Sequence, residues 1–292
     1  MRIEIRYLTS FTYSEQARES HNVLRARPTT DAYQRLISYS VLTDPPARLA
    51  SHTDYWGTHV DTFDIRHPHD RLQVLAESSV ETSPRPELKS DADLSWYREE
   101  DTWRYHHQFL QPSRHTSGDR RTVELARIAV EDVVSAVEAF ERIGQTVHDE
   151  LEYKPGTTYV GIDLARVLEQ GQGVCQDFAH LALSLYRGNG IPARYVSGYL
   201  YAVDQASAQE PEEAEVEVQT HAWVEALIPG FGWWPCDPTN LSPVGERHVK
   251  IGHGRDYDDV LPLRGVYHGP ADHQLGVSVR MSRETLQAVH EQ

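Results

Sequence analysis

From residue 2 to about residue 82 the chain alternates polar and apolar positions in short runs. Stretches at 2–13, 20–27, 33–43, 48–56, 58–66 and 71–82 read as strands, because alternation sends successive side chains to opposite faces of a pleated ribbon. Pro28, Pro45, Pro46, Gly57 and Pro68 fall between them, where turns are needed. The pattern predicts an all-β, sandwich-like domain over residues 1–85. The segment Ser83–Asp93 is polar, bears prolines and has no periodicity; it reads as a linker, with residues 86–292 forming a second unit.

Beyond the linker the apolar spacing lengthens to three and four residues. Val123, Leu125, Ala126 and Ile128, then Val133, Val137, Phe140, Ile143 and Val147, predict helices between about 120 and 150. Ile162–Glu169 reads as a short helix. From Cys175 onward Phe178, Leu181, Ala182 and Leu185 fall on one helical face, and Gly190-Ile191-Pro192 ends that helix. Tyr195–Tyr201 and Thr220–Ile228 alternate like strands, and the turn Pro229-Gly230-Phe231-Gly232 folds the second back into a third. Helix followed by antiparallel strands predicts an α+β core. Between two of these strands, residues 204–219 are acidic and lack an apolar stripe, which predicts a mobile loop. It is either a lid favouring cationic or amine-bearing substrates, or a solvated hairpin extension.

Charge narrows the partners. The chain has 292 residues and a net charge of −16, which argues against nucleic acid and against an anionic membrane, since binding polyphosphate rests on clustered cations. Its basic residues are almost all arginine, with lysine only at 89, 154 and 250. No apolar run approaches the roughly eighteen residues that suggest a membrane span. Met1–Leu8 reads as a first strand rather than a secretory leader, and two cysteines make no disulfide framework; both point to the cytoplasm. His67 with His69, His106 with His107, and the acidic set Asp256, Asp258 and Asp259 lack the ligand spacing of familiar zinc or calcium sites. Neither a metal nor a cofactor is expected.

The candidate chemistry centres on Gly171-Gln-Gly-Val-Cys175, a glycine-rich turn that delivers one cysteine to the start of an apolar helix. Unpaired N–H groups and the helix dipole favour an anion there, and a thiolate is the nucleophilic form of cysteine. A thiolate needs a base, and the base needs a residue to hold its tautomer. His221 on one predicted strand and Asp237 on the next lie near the same end of the hairpin, compatible with one site. Cys236, one residue before Asp237, points to the opposite face by alternation and reads as a packed thiol.

The blocks Gly173-Val-Cys-Gln-Asp-Phe-Ala-His180, Ile191-Pro-Ala-Arg-Tyr-Val-Ser-Gly-Tyr199, His221-Ala-Trp-Val-Glu225 and Trp234-Pro-Cys-Asp-Pro-Thr-Asn240 resemble, in order, the core of bacterial transglutaminase-like proteins. Gly254-Arg-Asp-Tyr257 and Pro262–Tyr267 extend the resemblance, and the first strands resemble the β domain that precedes this core in many members. Cys236 departs from the pattern, which has a larger apolar or aromatic residue there. The resemblance implies a papain-like α+β core with Cys175 as nucleophile, His221 as acid and base and Asp237 as orienting residue. The implied reaction is acyl transfer from a protein or peptide amide through a thioester on Cys175, passed to an amine or to water. A peptidase or amidase that only hydrolyses, and a silent peptide-binding module, are the alternatives. The backbone N–H of Cys175 is the expected oxyanion donor; a second could come from Tyr153–Tyr159 or Gln172. Trp223, Trp234 and Tyr159 are the expected groove residues.

Overall fold

The computed structural model of the chain describes residues 1–159, 161–201, 216–269 and 272–284. The chain begins with β1 (Arg2–Ala17), β2 (Glu19–Leu24), β3 (Gln34–Asp44), β4 (Ala50–Thr53), β5 (His59–Ile65) and β6 (His69–Thr82). Helices α1 (Glu100–His106), α2 (Arg120–Ala129) and α3 (Ala136–Glu150) follow, then β7 (Glu152–Tyr153), α4 (Leu164–Gln170), β8 (Gln172–Gly173) and α5 (Cys175–Gly188). The remaining strands are β9 (Ala193–Leu200), β10 (Val216–Val218), β11 (Thr220–Ile228), β12 (Gly232–Cys236), β13 (His248–Gly254), β14 (Leu263–His268) and β15 (His273–Glu284).

The early strands form two antiparallel sheets, ordered β10-β15-β1-β6-β3 and β14-β2-β5-β4. Alternation buries Ile3, Ile5 and Tyr7 of β1, and they share one core with Leu24, Phe63, Ile65, Leu72 and Val74 from both sheets. The expected division at residue 85 places residues 263–284 with the second unit; instead β14 pairs with β2 and β15 pairs with β1 along most of its length. The reason is hydrogen bonding: β1 pairs with β6 on one side only, and a long edge left open exposes unpaired N–H and C=O groups. Within the expected acidic loop, residues 204–215 lie outside the described residues, and Val216–Val218 is strand β10, paired with β15.

A third sheet, β12-β11-β9-β13, is antiparallel throughout. On one face Ala222, Val224, Ala226 and Ile228 pack with Phe178, Leu181, Ala182 and Leu185 of α5 in a core that also takes in α2 and α3. On the other face Val196 and Trp223 pack with Val244, while Tyr199, Val249 and Ile251 join the β-domain core. Covered on both sides, β11 is buried almost continuously, as a central strand between two layers must be. Asp119 and Ser135 accept the Thr122 and Glu138 N–H groups at the starts of α2 and α3, each satisfying a donor the helix cannot.

Candidate active site

Local geometry explains why the helix starts at the cysteine. Gly171 ends α4 with φ of 62°, a left-handed conformation that favours glycine. The next two residues pair in parallel with Glu152 and Tyr153, and α5 opens at Cys175. Asp177 secures the turn: its Oδ2 accepts the Val174 N–H at 2.9 Å and the Thr158 hydroxyl at 2.6 Å. A Cβ on Gly173 would lie 2.9 Å from the Asp177 Cβ, so this approach requires glycine. Burial raises the Asp177 pKa against those two hydrogen bonds.

Cys175 is half-buried, with Sγ 4.0 Å from the Thr220 carbonyl oxygen at the start of β11. The neighbouring His221 interacts with this thiol, and its Nε2–H donates to Asp237 Oδ2 at 2.8 Å. Burial pulls the His221 pKa down, but the Asp237 and Cys175 interactions outweigh it and raise it to about 10. Asp237 is itself wrapped in donors. Oδ1 accepts the Thr239 and Asn240 N–H groups at 3.0 and 3.3 Å, and Oδ2 also accepts the Asn240 side-chain amide at 2.8 Å. Burial raises its pKa, but the donors prevail and hold the carboxyl far below the usual range. The structure therefore brings Cys175, His221 and Asp237 together.

His248 also belongs to this cluster, although the sequence did not single it out. Its Nδ1 accepts the Gly245 N–H at 3.4 Å, which leaves Nε2 protonated to donate to Asp237 Oδ2 at 3.3 Å. Burial lowers its pKa, so it serves as a neutral donor. Its strand, β13, pairs with β9 rather than with the His–Asp hairpin; no local spacing could disclose the meeting.

The expected groove residues are arranged differently. Trp223 is 2% exposed, tilted against His221 at 6.0 Å and edge-on to His248 at 5.4 Å between ring centroids. It props the imidazoles from behind. A Cβ on Gly198 would meet the Trp223 ring at 2.6 Å, so β9 must carry glycine beneath the indole. Trp234 packs into the helical core against Phe231. For Trp223 this corrects the groove reading, because β11 is a central strand covered on both faces; Trp234, on the edge strand β12, also lines a cavity that reaches Asp237. Tyr159 is 73% exposed. Of the second-donor candidates, Gln172 gives its amide to Glu152 at 2.8 Å, whereas Tyr153 lies within electrostatic reach of Cys175, as do Tyr195 and Tyr257.

Cys236 is a free, half-buried thiol packed against Gly144, where a Cβ would lie 2.8 Å from the sulfur. Burial pushes its pKa to about 12. The small cysteine at this point lets α3 approach β12 closely. Two clusters carry donor atoms of metal-binding type, His221–Asp237–His248 and His115–Asp256–Asp258. In the first, the histidine Nε2 atoms already carry the protons bonded to Asp237. In the second, Arg114 lies 3.8 Å from Asp258 and the buried Arg187 feels Asp256, so arginines answer the carboxylates.

A cysteine opening a buried helix, a histidine on the adjoining strand and a carboxylate just past the end of the next define a thiol–imidazole–carboxylate site in an α+β frame. The chain belongs to the transglutaminase-like superfamily: residues 124–238 match that core, and residues 3–81 match the bacterial transglutaminase-like N-terminal region. An uncharacterized protein of Mycobacterium leprae (strain TN) is 38% identical over 293 residues, spanning 97% of this chain and 99% of its own length. An uncharacterized protein of Mycobacterium tuberculosis is 29% identical over 290 residues, spanning 91% of this chain and 88% of its own length. A crystal structure from Cytophaga hutchinsonii, provisionally titled a cysteine protease, shares the fold with a TM-score of 0.73 at 21% identity, covering 98% of this chain and 92% of that one. Among the described residues, no helix is long and apolar enough to cross a membrane.

Proposed function

We propose that the protein is a thiol acyltransferase that takes the acyl group of a protein or peptide amide, such as a glutamine side chain, onto Cys175 and passes it to an amine or to water. The reading rests on one arrangement, the interaction of Cys175 with His221 continued by the 2.8 Å bond from His221 Nε2 to Asp237. With Nε2 held by Asp237, Nδ1 is the ring nitrogen left for the thiol. Cys175 Sγ attacks the amide carbonyl carbon, forming a C–S bond. The oxyanion takes the Cys175 N–H, one of the first-turn donors that a helix leaves unpaired. The C–N bond then breaks as Nδ1–H gives its proton to the departing nitrogen. In the second half His221 takes a proton from the incoming amine or water, which attacks the thioester carbonyl, and the C–S bond breaks to regenerate the thiolate. Asp237 remains ionised throughout and holds the imidazole in register.

The test is incubation of wild-type and Cys175→Ala protein with a pool of glutamine-containing peptides, with and without a primary amine, followed by mass spectrometry of the peptides. Amine adducts dependent on Cys175 support transfer, and deamidation or cleavage dependent on Cys175 supports hydrolysis. The absence of any Cys175-dependent product counts against the enzyme reading. We further propose that the enzyme works in the cytoplasm, because both thiols are free and the mechanism requires Cys175 reduced; recovery of the protein with secreted markers would contradict this.

A further inference from the structure

On the face of β11 that carries His221, Trp223 and Glu225, a cleft of ≈ 460 Å³ opens between the catalytic sheet and the Arg27–Tyr33 segment of the β domain. Its charged walls are Arg27, Asp31, Arg85, Arg194, Glu225 and Lys250. Four cations therefore face two carboxylates, an inversion of the −16 carried by the whole chain. One of the three lysines is spent here.

The charges divide into a buried floor and a free rim. On the floor, Glu225 accepts Lys250 Nζ at 2.7 Å and Arg194 Nη2 at 2.6 Å, so one carboxylate answers two cations. Arg194 also lies 4.3 Å above the Trp233 ring and reaches His253 Nε2 at 3.1 Å. Burial, Arg194 and Lys250 drive the His253 pKa down to about 3, a sign of positive potential. On the rim, among the described residues, the hydrogen bond of the Arg27 guanidinium is a 3.4 Å contact to His59 Nδ1. Arg85 lies over the Tyr33 ring at 4.3 Å, and among the described residues its guanidinium has no hydrogen bond or ion pair. Stacking holds a guanidinium plane in place while leaving its edge donors free.

We propose that this cleft binds a compact dianion, a phosphoryl group or a dicarboxylate, held by the guanidinium groups of Arg27 and Arg85 above the Arg194–Lys250 floor. A surplus of two positive charges matches two negative ones, and the arginine fork matches the oxygen pairs of both groups. Glu225 alone answers both floor cations, so an anion in the cleft supplies counter-charge that the floor and rim lack. The site is distinct from the thiol: Glu225 lies four residues along β11 from His221, about 13 Å at a strand's rise, with Trp223 between them.

Calorimetric titration at constant ionic strength, with inorganic phosphate, succinate and acetate as separate probes, tests the assignment. The expected result is saturable binding of phosphate or succinate at one site, with acetate weaker; the stronger of the two dianions identifies the ligand class. Arg27→Gln and Arg85→Gln should each weaken binding by roughly tenfold or more, the loss expected for a charged hydrogen bond. Arg35→Gln, at an exposed arginine paired with Glu81, should leave it unchanged. Alkylation of Cys175 at the wild-type rate certifies that a variant is folded, and Arg27→Lys, which keeps the charge and loses the fork, should fall between wild type and Arg27→Gln. Absence of saturable dianion binding by wild type at millimolar concentrations, or equal weakening by Arg35→Gln, would overturn the proposal.

Discussion

Replacing Asp237 by asparagine keeps the shape of the site and reverses its hydrogen-bond logic. Oδ1 accepts two backbone N–H groups, and Oδ2 accepts His221, His248 and the Asn240 amide. An asparagine has one acceptor oxygen. If that oxygen faces the backbone pair, its NH2 confronts the His221 Nε2–H and forces the imidazole into the other tautomer, with the proton on Nδ1 facing the thiol. If it faces His221 instead, the tautomer survives but the charge that stabilises the imidazolium is gone. Raising His221 from its ordinary 6.5 to about 10 corresponds to roughly 5 kcal/mol at about 1.36 kcal/mol per pH unit. Asp237 shares that effect with Cys175, so a part is lost, and the expected fall in reactivity is about 10²- to 10⁴-fold.

Iodoacetamide alkylation followed by intact mass of protein carrying Cys236→Ala reads this directly; in the unsubstituted protein Cys236, its pKa pushed to about 12 by burial of the thiol, is scarcely ionised at neutral pH. Asp237→Asn should slow alkylation at neutral pH and give the rising pH profile of an unassisted thiol. A second readout comes from linkage. A proton on His221 with a folded pKa near 10 stabilises the fold fully below the unfolded value of 6.5, and that stabilisation fades as pH climbs from 6.5 towards 10. Asp237→Asn should shrink the contribution of this limb. Alkylation at the wild-type rate with an unchanged profile would refute the role given to Asp237.

Three further outcomes are expected. His248→Phe removes one donor to the Asp237 carboxylate, a bond worth about 1.5–3 kcal/mol, and should slow alkylation by roughly tenfold or more, whereas His248→Gln, which can still donate, should recover much of the rate. Glu225→Gln leaves Lys250 and Arg194 without their counter-charge and should lower the urea midpoint by an amount equivalent to about 3 kcal/mol at pH 7. Because the folded Glu225 pKa is depressed to about 2 from 4.5, its burial opposed by Lys250 and Arg194, the gap from wild type should close as pH falls through 4.5 towards 2. Gly144→Ala drives a methyl into Cys236 Sγ and should cost about 1–3 kcal/mol. Adding Cys236→Ala should return most of it, and strict additivity in unfolding experiments would show that the two do not touch.

The elements whose evidence is local were legible. Alternation marked the six N-terminal strands, and the apolar spacing after Cys175 marked α5, because both report a side chain's neighbours within a few positions. Cys175, His221 and Asp237 were legible for the same reason, each lying beside a turn or within a patterned run. What escaped depends on distant pairing. Nothing in Leu275–Met281 says that it pairs with β1 rather than with the catalytic sheet, and nothing near His248 says that β13 carries it across β9 to Asp237. Trp223 was read as a groove wall because alternation gives the face of a residue but not what covers that face. Asp177 was hidden in plain view: a carboxylate three residues after Val174 is a helix-start signal, and here it fastens the turn that presents the nucleophile.

In the proposed mechanism Cys175 becomes acylated with the help of His221. Rapid acid quenching of the enzyme with a glutamine-containing peptide, followed by intact mass, tests it most directly. The expected result is a transient adduct of peptide mass less ammonia on wild type, absent from Cys175→Ala and formed far more slowly by His221→Ala. Product formation with no adduct at any time, or an adduct that persists in Cys175→Ala, would contradict it.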